Sequence, residues 1–328
     1  MEFSSDTMDE SAAIAVQDLY KTYRDGLIFR KRFEALKSVS FQVPRGEIFG
    51  LLGPNGAGKT TFVKIMLGIV RKTSGSATML GQPVGDRATR VRVGYLPEHL
   101  RLPSHLNALG ALKLYGKLSG MDSREIREKG MPLLETVGLA DRVRDSVKKY
   151  SKGMRQRLGL AQSLLHDPEL LFLDEPTDGL DPVGRSEVRN IIHRLKDEGK
   201  TIFLNSHLLQ EVEMVCDRFA ILHQGELRSV GTLDQISSTT RDRSEVEIEI
   251  LGTDTAIKAA LETCEVVASE MLSENRVRIV AQMSGQKDID ACIDALRADG
   301  LSIVSLVHRR ATLEDAFLKI IETETKVS

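Results

Sequence analysis

Short apolar runs alternate along most of the chain with stretches whose apolar residues return every third or fourth position, the rhythms of strand and helix. Apolar positions from Ala13 to Val16 and from Ala35 to Val43 predict two antiparallel edge strands leading into Gly46-Glu47. The basic stretch Arg24 to Arg32 between them reads as a solvated hairpin tip. Ile48 to Leu52 is almost wholly apolar, the mark of a strand buried on both faces, and a glycine-rich turn and a helix follow at once. From about His99 to Tyr150 the rhythm is helical, with Leu109, Leu112, Leu133, Leu134 and Val137 at three- and four-residue spacings. Strand and helix then alternate again: the strand Leu170 to Leu173, a helix near Gly184 to Glu198, the strand Ile202 to Leu204, a helix near Leu208 to Val215, and a hairpin through Phe219 to Arg228. A parallel sheet covered by helices is the economical α/β architecture for this order, with the helical stretch inserted as a subdomain.

The polar stretch Ser237 to Ser244 separates off a segment of different rhythm. Alternation in Val246 to Ile250, a helix near Thr255 to Glu262, strands near Glu265 to Ala268 and Val277 to Ala281, a helix from Asp288 to Ala298 and a strand Ser302 to Val307 give a βαββαβ order. That order predicts a small α+β, ferredoxin-like domain, followed by an amphipathic helix from Leu313 to Ile321. The expected layout is a disordered tail at 1–12, an α/β domain at 13–236 with its helical subdomain at about 99–150, and an accessory domain at 245–328.

Composition narrows the function classes. With 328 residues, 41% of them hydrophobic and 28% charged, the chain has material for two soluble globular domains. A net charge of -2 gives no electrostatic reason to expect a nucleic-acid partner. Cys216, Cys264 and Cys292 are far apart and odd in number, which points to neither a disulfide framework nor a zinc site and suits a reducing cytoplasm. The first residues carry no apolar secretory core, and no run approaches the ~20 apolar residues of a spanning helix. Membrane association is therefore expected only through a partner.

The chemistry begins at Gly53-Pro-Asn-Gly-Ala-Gly-Lys-Thr60, which fits G-x-x-x-x-G-K-[ST] at every fixed position and lies between a predicted strand and helix. Glycines at 53, 56 and 58 let successive N–H groups face a phosphate. Lys59 supplies a compact charge for the β- and γ-phosphates, Thr60 a hydroxyl for Mg²⁺, and the following helix its N-terminal dipole. Gly53, Pro54, Asn55, Gly56, Ala57, Gly58, Lys59, Thr60 and Thr61 form the candidate ATP-binding loop. The apolar strand Leu170 to Leu173 ends in Asp174-Glu175-Pro176, two carboxylates at the sheet edge where ligands of such sheets bind. Asp174 is the candidate Mg²⁺ ligand and Glu175 the candidate general base.

With these in place, residues 13 to about 232 resemble the ATPase family of ABC transporters. Tyr150-Ser-Lys-Gly-Met-Arg-Gln-Arg157 resembles the signature motif, Asp174-Glu-Pro-Thr177 the Walker B segment, Gly179-Leu-Asp-Pro182 the D-loop and Asn205-Ser-His207 the switch histidine, in the family's order. Ser151 precedes a helical pattern, so its hydroxyl and the N–H at Gly153 read as a second anion-binding helix start. The resemblance implies a head-to-tail homodimer in which each signature caps the nucleotide held by the other copy. It also implies that His207 contacts the γ-phosphate, that Asp181 couples the two sites, and that Tyr23, with Tyr20 as competitor, stacks on adenine.

Two motifs depart from the family pattern. The signature, usually leucine-serine-glycine-glycine-glutamine, is Tyr150-Ser-Lys-Gly-Met154, and Glu98 stands in Gly94-Tyr-Leu-Pro-Glu98 where the family carries glutamine. An ionised Glu98 still offers oxygen to Mg²⁺ or water but donates no hydrogen bond. The expected function is ATP hydrolysis that powers transport, in the direction of export, through a separate membrane permease, with the chain held peripherally on the cytoplasmic face. A soluble ABC ATPase of translation or DNA repair is the alternative, although one cassette without sustained heptads does not suit it. A small-molecule P-loop kinase would not need the signature, D-loop and switch histidine.

Overall fold

The computed structural model describes residues 12–25, 31–240, 244–253, 256, 266–283, 285–309 and 312–325. The chain divides into two compact units, Met1–Leu233 and Asp234–Ser328.

In the first unit, β1 (Ile14–Asp25) and β2 (Lys31–Val43) pair antiparallel and join β4 (Ser74–Met79) and β5 (Gln82–Pro83) in the order β2-β1-β4-β5. A six-stranded sheet runs β10 (Glu226–Gly231), β9 (Arg218–His223), β3 (Ile48–Leu52), β8 (Thr201–Asn205), β7 (Leu170–Asp174) and β6 (Val93–Leu96). Its strands are parallel from β9 to β6, and β10 closes one edge as the antiparallel arm of a hairpin. Every residue of β3, β7 and β8 is buried, which explains why these strands read as unbroken apolar runs.

Helix α1 (Lys59–Met66) buries Phe62, Val63, Ile65 and Met66 in a core that also takes Ile14, Leu36 and Phe41 from one sheet and Phe49, Phe172 and Phe203 from the other. Phe41, Phe49, Phe62, Phe172 and Phe203 form a continuous chain of ring contacts with centroids 5.2 to 5.8 Å apart. The phosphate loop's helix is thus anchored from below by the largest side chains of the core.

After the short α2 (Arg87–Arg90), three helices form the insertion: α3 (Ala108–Leu118), α4 (Ser123–Thr136) and α5 (Lys152–Leu164). Their starts are fixed locally. Asn107 Oδ1 accepts from the Gly110 N–H, and Asp122 with Glu125 makes a reciprocal capping box. Leu100 is half-buried and crowds Gly159 of α5. Helices α6 (Pro182–Asp197) and α7 (Leu209–Glu213) complete this unit. Strand pairing reaches further along the β1–β2 hairpin than expected, because Arg24 and Arg32 are themselves ladder partners.

The division between the units falls at the first residue of α8 (Leu233–Thr240), so the polar stretch beginning at Ser237 starts inside a helix. Strands β12 (Val266–Ser273), β13 (Arg276–Met283), β11 (Ser244–Leu251) and β14 (Ser302–Arg309) follow in that spatial order, every neighbouring pair antiparallel. Val246, Ile248, Ile250, Val277, Ile279 and Ala281 share a core with Ile289, Cys292 and Leu296 of α9 (Gln286–Ala298). The alternate residues carry ion pairs instead, Arg278 with Glu247 and Glu270, and Arg276 with Glu249. α10 (Leu313–Thr325) ends the described chain. The helix expected near Thr255 to Glu262 falls largely outside the described residues.

Phe203 touches three of the other rings, so Phe203→Ala should cost about 3–5 kcal/mol, measured as a shift in urea unfolding midpoint at unchanged slope. A loss below about 1 kcal/mol would mean that the ring chain does not anchor this core.

Candidate functional site

Parallel register gathers most of the candidate residues on one sheet edge. Leu51 of β3 and Asp174 of β7 both lie opposite Asn205 of β8. The phosphate loop leaves β3, the carboxylates leave β7 and the Ser206-His207 turn leaves β8 side by side. Leu96 of β6 pairs with Leu173, which delivers Glu98 to the same edge. This is the carboxyl end of an open parallel sheet, where such folds bind ligands.

The loop itself is shaped by glycines at two tight approaches. A Cβ at Gly53 (φ 155°) would run into the Leu222 carbonyl, and one at Gly58 (φ 106°) into the Ala35 carbonyl. Gly58 directly precedes α1 in the left-handed conformation, with the Phe62 N–H donating to its carbonyl at 2.9 Å. Pro54, Asn55, Gly56 and Thr60 are exposed, Ala57 is buried, and Gly58 and Thr61 are half-buried. Lys59 is buried and folds back over the loop, donating to the Gly53 carbonyl at 2.5 Å and the Pro54 carbonyl at 3.3 Å. Burial pushes its pKa down, and the fields of Glu175 and Asp174 push back.

Asp174 and Glu175 point to different partners, as neighbours at a strand end must. The Asp174 carboxylate accepts from Asn205 Nδ2. Its pKa is raised by burial, lowered by that hydrogen bond, raised again by Glu98 and Glu175, and lowered by Lys59. Tyr95 responds to the same charges: burial first, then Asp174 and Glu98, drive its phenol up to about 12. Glu175 sits at φ 51°, a left-handed conformation that costs a residue with a Cβ about 1 kcal/mol or more. Its N–H donates to the Asn205 carbonyl at 2.8 Å, Ser206 Oγ donates to Oε2 at 3.0 Å, and the His207 N–H donates to Oε1 at 3.0 Å. His207 Nδ1 lies 2.8 Å from the same Oε1, while half of the His207 side chain remains exposed.

Ser151 and Gly153 stand elsewhere. Ser151 caps α5, with its Oγ accepting from the Met154 N–H at 3.1 Å, so in this copy the hydroxyl expected to meet an anion serves its own helix. Gly153 adjoins Leu180, and Gln156 of α5 donates to the Glu175 carbonyl at 3.5 Å. Asp181 caps α6 by accepting from the Gly184 N–H at 3.0 Å. Tyr23 pairs with Phe33 on β2, two residues from the Ala35 carbonyl that crowds Gly58, and Lys21 Nζ lies 4.7 Å from its ring centroid. Tyr20 faces a separate open hollow lined by Glu34, Lys37, Ser38 and Glu226.

Sequence reading passed over Asn205 and Ser206 as site residues in their own right. Asn205 bridges the two carboxylate residues, and Ser206 holds Glu175. The available signal was polarity: both are buried polar residues ending an apolar strand.

Comparison with known proteins follows the same lines. Residues 36–178 match the family model described as ABC transporter. The chain is 40% identical over 314 residues to an uncharacterized ABC transporter ATP-binding protein of Synechocystis sp., covering 94% of this chain and 85% of that one. It is 34% identical to a daunorubicin resistance ATP-binding protein of Streptomyces coeruleorubidus, covering 96% and 98%. A solved ATP-binding subunit of an ABC transporter superposes with a TM-score of 0.60 at 31% identity, covering 69% of this chain and 92% of that one.

The lowered pKa of Lys59 sets the sign of a stability prediction. The unfolded chain binds this proton more tightly, so the charge costs folding stability below the folded-state pKa, and the cost fades as pH rises toward the unfolded value. Without nucleotide at neutral pH, Lys59→Met should melt no lower than the parent, and only the parent's melting temperature should rise on adding ATP. A lower melting temperature in nucleotide-free Lys59→Met would show that the Gly53 and Pro54 contacts outweigh desolvation.

Proposed function

Since the chain belongs to the ABC transporter family as one of its ATP-binding, ATP-hydrolysing subunits, we propose that the edge formed by residues 53–61, Glu98, Asp174, Glu175 and His207 is one half of its hydrolytic site. The other half is the start of α5, with Ser151 and Gly153, supplied by a second copy. The observation that carries this reading is the fixation of Glu175. A carboxylate held through both oxygens by Ser206 and His207, on a strained backbone beside the phosphate loop, is oriented before any substrate arrives.

In this scheme the N–H groups of the loop and α1 receive the β- and γ-phosphates, and Lys59 exchanges its carbonyl partners for phosphate oxygen. Glu175 Oε1 accepts a proton from the attacking water, and His207, already beside that oxygen, positions the water and the terminal phosphate. Tyr23 offers its remaining ring face to the adenine. Among the described residues no group of three or more His, Cys, Asp or Glu side chains forms a metal cage. A Mg²⁺ bound mainly by nucleotide phosphates needs none, and the donors here suit it: Asp174 lies in the negative field of Glu98 and Glu175, and the Oδ1 of buried Asn205 has no hydrogen-bond partner among the described residues. Thr60 and Asp174 would hold this ion, which supplies charge neutralisation for the phosphates.

No helix of the described residues is long and apolar enough to cross a membrane. In this reading the work of hydrolysis passes to a separate transmembrane permease, with this chain on its cytoplasmic side, in keeping with relatives named as ATP-binding proteins of ABC transporters. Export is the proposed direction, because the relative named for daunorubicin resistance matches along almost the whole of both chains. Glu98 and the first turns of the helical insertion are the proposed route of coupling.

Glu175→Gln keeps the shape and removes the base, so it should bind ATP, accumulate as an ATP-bound pair and hydrolyse about 10²- to 10⁴-fold more slowly. Near-normal steady-state turnover would exclude Glu175 as the base. The shared site has its own test: Lys59→Ala chains mixed with Ser151→Arg chains confine both defects to one composite site. The mixture should recover hydrolysis that neither variant shows alone, and activity linear in concentration down to dilutions at which the protein is monomeric would rule out sharing.

A further inference from the structure

We infer that Lys152 is an exchangeable latch: in a single copy it is held by Asp178, and in the closed pair it leaves Asp178 for the terminal phosphate of the nucleotide bound by the other copy. The inference rests on the composite-site reading above and deepens it.

Lys152 is the first residue of α5, directly after the cap Ser151, where the family pattern carries glycine. Its Nζ lies 3.0 Å from Asp178 Oδ2. The side chain crosses Gly179, where an added Cβ would collide with Nζ and stand 3.0 Å from Cε and 3.2 Å from Cδ. Gly179 takes φ 62°, so the turn is bare of a side chain at the place where the lysine lies. That turn belongs to the hydrolytic edge, because the Asp178 N–H donates to the Glu175 carbonyl at 3.2 Å and Asp181 three residues on caps α6. One ion pair therefore joins the start of the signature helix to the segment that carries Glu175.

Its strength suits exchange. The two side chains are 55% and 47% exposed, and a pair so wet contributes about 0–1 kcal/mol. A terminal phosphate offers more charge and more acceptor oxygens than one carboxylate, at a helix start whose dipole already favours an anion. Lysine, a compact charge on a flexible stem, can swing between the two. Release also has a consequence. Asp178 is held below the usual carboxylate range mainly by Lys152, with His207 and Arg185 adding to the effect. Once the lysine leaves, the Asp178 charge faces His207 and Arg185 alone, so nucleotide arriving at the signature alters the field at the hydrolytic edge of the same copy.

The sign of one variant separates this latch from a merely structural ion pair. In the Glu175→Gln background, the ATP concentration that drives association is read by analytical ultracentrifugation. Lys152→Gln should raise it about fivefold. Asp178→Asn removes the competitor and should lower it about threefold. The double variant should behave as Lys152→Gln alone, and Lys152→Arg should restore most of the loss. Melting temperatures identify any variant that fails to fold, in which case Asp178→Ser replaces Asp178→Asn. If Asp178→Asn weakens association or leaves it unchanged while the parent associates normally, the latch is wrong and the composite site stands. If the Glu175→Gln chain does not associate with ATP at all, both readings fall.

Discussion

The site depends on the register of three adjacent parallel strands. β3, β8 and β7 lie side by side, and Asn205 at the end of β8 is opposite both Leu51 and Asp174. A shift of one residue in any of them would turn every side chain of that strand to the other face. Asp174 would then lose Asn205, and Glu175 would lose its backbone partner on the same residue. The register is held from below by apolar residues buried on both faces of the sheet and by the ring contacts that tie Phe49, Phe172 and Phe203 to Phe62 of α1. Aromatic packing in the core thus fixes the spacing of charges at the edge.

Those charges are arranged against one another. Glu98, Asp174 and Glu175 place negative potential beside a single buried lysine, and burial opposes the charged form of both Asp174 and Lys59. Lys59 compensates by donating to two carbonyls of its own loop, and Glu175 by accepting from Ser206 and His207. Each of these bonds is to a neutral partner or to a half-exposed one, and each can be exchanged for phosphate or water without leaving a buried ion bare. A site of this kind is organised before its substrate arrives and is relieved electrostatically by it.

Much of this was legible in the sequence, because its elements are local. The phosphate loop is one unbroken run between an apolar strand and a helix, and the paired carboxylates close another apolar strand; the α/β reading follows from that alternation. What escaped were contacts made across strands. Asn205 and Ser206 read as the polar end of a strand, and only lateral pairing shows that one serves Asp174 and the other Glu175. The Ser151 hydroxyl read as an anion ligand; in a single copy its oxygen accepts from the Met154 N–H of its own helix, which leaves the O–H able to donate to an anion. The polar stretch from Ser237 reads as a separator, yet α8 runs through it to Thr240, because serine and threonine lower helix propensity without forbidding a helix.

The contrast between the core and the helical insertion suggests how binding becomes motion. Within the core the edge is welded by parallel ladders and buried rings, interactions that neither nucleotide nor a second copy can rearrange at small cost. Where α5 meets the carboxylate segment, the bonds are of another kind: Gln156 reaches the Glu175 carbonyl at 3.5 Å, and Lys152 reaches Asp178 through a half-exposed pair. Each is worth about 1 kcal/mol or less, within reach of the free energy a bound phosphate supplies. Apolar packing lets such a junction slide, and polar contacts of this strength give it discrete resting positions. Under the proposed function, a rigid edge that met the terminal phosphate, joined by weak polar bonds to the helix that begins at Ser151, would convert the presence or absence of one phosphoryl group into a change of arrangement. An ATPase whose output is movement requires that conversion, and a catalyst whose output is only ADP does not.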